Sequence, residues 1–119
     1  MHFQESVRAF SLGLPSAVEE IKWEDNLVFS VGKKMFAILS LNPPFRFSFK
    51  CTPDDCAELV ERPGIIPAPY LARYHWVCLT EPTALDWTEC RRLIRNSYRL
   101  VRAKLPKRIL ADLDGRAAQ

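Results

Sequence analysis

The chain has 119 residues, of which 48% are hydrophobic and 26% charged, proportions that suit one globular domain and exclude disorder for most of the length. Seventeen Lys and Arg against fourteen Asp and Glu give a formal net charge of +3, too small to imply a nucleic-acid partner by itself. No stretch approaches the ~20 uninterrupted apolar residues of a membrane span. The opening MHFQESVRAF lacks the basic-then-apolar order of a secretory signal, so a cytoplasmic protein without membrane partners is expected.

Phe3, Val7 and Phe10 recur at helical spacing, predicting a helix over 3–11 that Gly13 can end. SAVEEIKWEDN reads as a polar loop. The following NLVFSVGKKMFAILSL, residues 26–41, predicts a hairpin with strands 27–31 and 34–40. Gly32-Lys33 suits a two-residue type II′ turn, where glycine takes the positive φ without steric cost. With Val31 opposite Lys34, Phe29–Phe36 and Leu27–Ile38 are expected on one face, and Val28, Ser30, Met35, Ala37 and Leu39 on the other. Both faces carry apolar groups, so one side of the sheet should be covered and the other partly covered. Lys33 and Lys34 at the tip read either as a solvated turn or as a projecting basic finger.

Asn42-Pro43-Pro44 makes a turn, and FRFSFK then alternates strictly, with Phe45, Phe47 and Phe49 on one face of a third strand near 45–50. Thr52 can cap a short helix with Pro53 at its first position and Asp54 and Asp55 at its positive end, and Pro63-Gly64 stops it. Pro67 and Pro69 forbid regular structure for long between Ile65 and Arg73, and HWVCL, 75–79, reads as a further strand.

The last helix carries the clearest signal. Asp86 and Glu89 have capping-box spacing and Pro106 marks the end. Trp87, Cys90, Leu93, Ile94, Ser97, Tyr98, Leu100, Val101 and Leu105 share one side of it, while Arg91, Arg95, Arg99 and Arg102 share the opposite side. From Arg91 to Arg108 there are eight Lys or Arg and no Asp or Glu, a strong local asymmetry. Trp87, Leu93, Ile94, Val101 and Leu105 are expected to face the sheet. Residues 1–110 read as one domain and 111–119 as a frayed tail. The order α-β-β-β-α-β-α predicts an α+β two-layer sandwich, with helices on one face of an antiparallel sheet.

Cys51, Cys56, Cys78 and Cys90 form no C-x-x-C pair and His75 is the only histidine outside the N-terminus; free thiols without metal or cofactor are expected.

KWEDNLVFSVGKKMFAIL, then PGIIPAPYL with HW a few residues on, then SYRLVRAKLPKR, occur in an order that resembles the MmcQ/YjbR-like family of small bacterial proteins over roughly residues 15–108. The resemblance implies a compact α+β fold similar to that of type III secretion chaperones. It also implies a DNA-binding protein of "double-wing" type, and it supplies no catalytic residues.

The arginine stripe is a separate reading from the residues. Phosphate recognition needs cations on an element that fits a groove, and Arg91, Arg95, Arg99 and Arg102, extended by Lys104, Lys107 and Arg108, can meet phosphates with the Lys33-Lys34 tip as a wing. Against this stands the ordinary wet face of a surface helix. A second class is a protein-interaction or chaperone-like adaptor, or a homodimer, acting through a sheet with two partly apolar faces. A third is a ligand or interaction site at Tyr70, Arg73, His75 and Trp76, in an irregular segment of the kind that carries function; the competing reading of the His-Trp pair is packing. There is no G-x-S-x-G, no H-E-x-x-H and no glycine loop for phosphate, with four glycines in all, so no enzymatic activity is expected.

Overall fold

The alternating runs build one side of a sheet, and the computed structural model, which describes residues 2–117, has that side roofed by helices. The elements are α1 (His2–Leu12), β1 (Val18–Lys22), β2 (Asn26–Val31), β3 (Lys34–Ser40), β4 (Phe47–Lys50), α2 (Pro53–Leu59), β5 (Ile65–Pro67), β6 (Trp76–Leu79), α3 (Trp87–Ala103) and α4 (Lys107–Ala117). The six strands form one antiparallel sheet in the order β1-β2-β3-β4-β6-β5. A continuous buried cluster joins Val7, Leu59, Leu93 and Leu113 from the four helices to Phe29, Phe47 and Phe49 of the sheet. This is the expected α+β two-layer architecture.

Register assigns the faces. Leu27, Leu39, Phe47, Leu79 and Ile65 lie in one cross-sheet row beneath the helices; Val28, Ile38, Ser48, Cys78 and Ile66 form the adjacent row, pointing away from them. The hairpin starts as expected, with Val31 opposite Lys34 and Ser30 opposite Met35. A bulge then shifts the register, so that Phe29 faces Ala37 and Leu27 faces Leu39. The bulge turns Phe36 and Ala37 both toward the core and sends Ile38, expected beside Leu27, to the opposite side. The turn is also of the other primed type: φ is 56° at Gly32 and 69° at Lys33, and two positive values define type I′. Space is also tight here, since a Cβ on Gly32 would fall 2.6 Å from a Leu105 methyl carbon and push that side chain aside.

The bulge explains a polar residue in the apolar stripe of α3. Ser97, fully buried, donates its hydroxyl to the Phe36 carbonyl at 2.6 Å and accepts the Lys50 amide at 2.9 Å. Those two backbone groups flank the point where β3–β4 pairing ends at Ala37 and Phe49, so one side chain satisfies both.

Three further expectations need correction. The stretch read as a polar loop contains β1, an edge strand whose Val18 and Ile21 stay 57% and 62% exposed, so it shows no alternation; Arg8 of α1 secures it through a two-pronged pair with Glu19 at 2.7 and 2.5 Å. Only half of the capping box forms. The Asp86 carboxylate accepts the Glu89 amide at 2.8 Å, but the Glu89 side chain turns instead to Arg62, at 2.7 and 3.0 Å. Finally, residues 111–117 of the expected tail belong to a helix. Pro106 ends α3 and starts α4, whose Leu113 buries itself against the core and whose Asp114 pairs with Arg102. Residues 118–119 of the expected tail lie outside the described residues.

Candidate functional site

The residues singled out for nucleic acid separate into two groups. On α3, Arg91 and Arg99 are exposed, and among the described residues no carboxylate pairs with either. Arg95 is half-buried with its guanidinium over the Phe10 ring, 5.2 Å from the centroid, and Arg102 is half-buried and paired with Asp114. Arg95, Arg99 and Arg102 nevertheless share one groove of about 500 Å³ between the end of α1 and α4, with Tyr98 as its floor. The Tyr98 hydroxyl donates to the Pro15 carbonyl at 2.7 Å and so fixes one wall.

The second group gathers at the hairpin tip. Because Gly32 rests against Leu105 and Ile109, the exposed Lys33 and Lys34 sit beside the α3–α4 junction, which carries Lys104, Lys107 and Arg108, all exposed. Lys34 and Lys104 line a cleft of about 450 Å³ together with Lys50, a residue that strand pairing places beside Trp76 on the side away from the helices. The tip is therefore docked, with wet lysines on it, and is not a freely projecting finger.

The third set, Tyr70, Arg73, His75 and Trp76, does not converge. Trp76 is buried against Ala68 and Cys78 as part of a small second core. Arg73 stacks over the Tyr74 ring and donates to its hydroxyl at 2.8 Å, and His75 is exposed at φ 64°. Tyr70 is 99% exposed at φ 68°, a conformation that costs an ordinary side chain ~1–2 kcal/mol. It borders a groove of about 540 Å³ whose opposite wall is Trp23, itself 60% exposed, over Met35, Ile38 and Cys78.

Lys50 and Trp23 are members of these surfaces that sequence reasoning missed. Lys50 was legible as an outward position of FRFSFK; Trp23 owes its place to a turn with φ 52° and 71° at Trp23 and Glu24, which no hydrophobic pattern announces. The cysteines take no part in the three surfaces beyond Cys78. All four are free thiols, and burial pushes Cys51 and Cys90 up to about 12, which holds them protonated.

The class defined so far is a small α+β protein with a basic helix layer and a partly apolar open sheet face. The sequence model of the YjbR family matches residues 12–100, and the chain belongs to that family. Among solved structures it is similar to DR2400 of Deinococcus radiodurans, a DUF419 protein, at 29% identity and a TM-score of 0.81 over 93% of this chain and 87% of that one. It shares the fold of a protein from Pseudomonas syringae at 21% identity and a TM-score of 0.69, covering 82% of this chain and 97% of that one. No protein with a curated description matches significantly. Among the described residues no helix is long and apolar enough to cross a membrane.

Proposed function

We propose that this YjbR-family member is a non-enzymatic nucleic-acid-binding protein that meets phosphates with the outer side of α3, the start of α4 and the hairpin tip. The observation that carries the reading is the docking of Gly32 against Leu105 and Ile109, which joins Lys33 and Lys34 to the basic end of the helix layer. The residues in contact would be Lys33, Lys34, Arg91, Arg99, Lys107 and Arg108, with Arg95 and Arg102 contributing less because Phe10 and Asp114 already engage them. Contacts of this kind are to backbone phosphate and carry no base preference.

The test is an anisotropy titration of labelled duplex DNA, single-stranded DNA and RNA across salt. Neutralising about four phosphates gives a slope of log K against log salt near −4. Arg99→Ala should weaken binding uniformly across sequences and reduce that slope by about one. Absence of binding at low salt contradicts the reading.

One observation favours a second reading. Trp23 and Tyr70 stand exposed across an open apolar groove on the sheet face that the helices leave free, a surface suited to a protein partner or a second copy of the chain. Light scattering that shows a stable dimer, together with no duplex binding, would favour it.

A further inference from the structure

The cleft where β3 begins and β4 ends has chemistry that phosphate-backbone contact does not explain. Lys34 comes from the first position of β3, Lys50 from the last of β4 and Lys104 from the cap of α3. Among the described residues no salt bridge reaches any of the three, and no carboxylate lines the cleft. Lys50 donates one of its three N–H groups to the Tyr74 carbonyl, at 2.5 Å. That carbonyl holds the ammonium at the cleft without neutralising it and leaves two donors over. The C-terminal end of α3 brings partial negative charge to the same place, which Lys104 as its capping residue offsets.

The rest of the lining is apolar. Trp76, 5% exposed, and Leu71 lie under the lysines, with half-exposed Tyr74 at the rim. The volume of about 450 Å³ falls within the usual range for small-molecule sites, ~300–1,000 Å³.

We propose that this cleft is a binding site for a small amphipathic anion, a phosphate or carboxylate head carried on a planar apolar body. The three ammonium groups take the head and the Trp76–Leu71 floor takes the body. Burial and the nearby Lys104 charge both lower the Lys50 pKa, so the cleft penalises its own charges and a bound anion relieves that penalty. A phosphate within a nucleic-acid backbone uses the head contacts but not the floor, so the site goes beyond the function proposed above.

The probes are 1-naphthyl phosphate, 1-naphthol and inorganic phosphate, titrated by calorimetry into the parent protein and into Lys50→Met and Lys104→Gln. We expect 1:1 binding of 1-naphthyl phosphate, about tenfold tighter than either 1-naphthol or inorganic phosphate, and a loss of about fivefold or more in each variant, since each removes one charge-assisted contact. Lys104→Gln changes an exposed side chain, so it keeps the test available if Lys50→Met melts early. Equal binding of 1-naphthol overturns the role of the lysines, and equal binding of inorganic phosphate overturns that of the floor. Unchanged affinity in a folded variant, or no binding of 1-naphthyl phosphate at all, overturns the site. Duplex DNA titrated in parallel separates this result from the nucleic-acid reading, which can fail while the aromatic phosphate still binds.

Discussion

The two faces of the sheet are built by different means. Under the helices, Phe29, Phe36, Phe47 and Phe49 are each fully buried, Phe36 stands edge-on to Tyr98 at 5.5 Å, and residues of the four helices join them in one buried cluster. The opposite face has a small core of Ala68, Trp76 and Cys78, partly covered by Met35, Ile38 and Leu71, and it leaves two clefts open beside exposed Trp23, Tyr70 and Tyr74. The difference separates what holds the molecule together from what stays accessible. The sealed face holds the molecule together and displays arginines on the far side of its helices, whereas the open face is covered in part, with Ala68 and Leu71 of the irregular segment 68–74 packed on it.

The largest effect should come from breaking the seal. Leu93→Ala removes a side chain 1% exposed from the middle of the α3 seam and should cost ~2–5 kcal/mol in urea melts. A loss below ~0.5 kcal/mol, the size of a surface substitution, would show that α3 is peripheral. The buried thiols give a pH test of the same face. Unfolded thiols ionise near 9, while Cys51 and Cys90 stay protonated to about 12, so the unfolded state binds fewer protons in that window. Stability should therefore be intact below pH 9 and fall as pH rises toward 12, each thiol removing up to ~1.4 kcal/mol per pH unit. Cys51→Ala/Cys90→Ala should show a shallower fall over the same range; an identical slope would mean these thiols are not sealed.

Ser97→Ala comes next. It strands the Phe36 carbonyl and the Lys50 amide at the bulge and should cost ~1–3 kcal/mol, with faster amide exchange at Lys50; no change would mean water replaces the hydroxyl without penalty. The smallest effect belongs to the open face. Tyr70→Asn substitutes a residue that tolerates positive φ for a side chain 99% exposed, so stability should stay level or rise by up to ~1 kcal/mol. A clear loss would show that the tyrosine packs.

The same contrast explains what the sequence displayed. Phe47 and Phe49, and the Leu93–Val101 stripe, were legible because a period of two or 3.6 reports directly on a face that is wholly buried. The bulge at Phe36 was not, since alternation predicts an unbroken ladder; Ser97, a hydroxyl at an apolar position, was its one visible trace. Edge strand β1 escaped because an edge need not alternate, and α4 because a short segment finds its place through tertiary contacts, those of Ile109, Leu110 and Leu113 with the core and the Arg102–Asp114 pair. The candidate surfaces were legible one residue at a time. The arginines showed their helical phase, but nothing in the sequence said that Phe10 and Asp114 engage two of them or that Lys50 joins Lys34 and Lys104. Those are tertiary facts about residues far apart in the chain.

The measurement that bears most directly on the functional account sets the two faces against each other. Labelled duplex DNA is titrated at low salt with the parent, with Arg91→Ala/Arg99→Ala and with Trp23→Ala/Tyr70→Ala, after melts confirm that all three are folded. The account predicts that the arginine pair loses about tenfold or more in affinity, two phosphate contacts having gone, and that the aromatic pair binds like the parent. Affinity lost with the aromatics and kept without the arginines would contradict it.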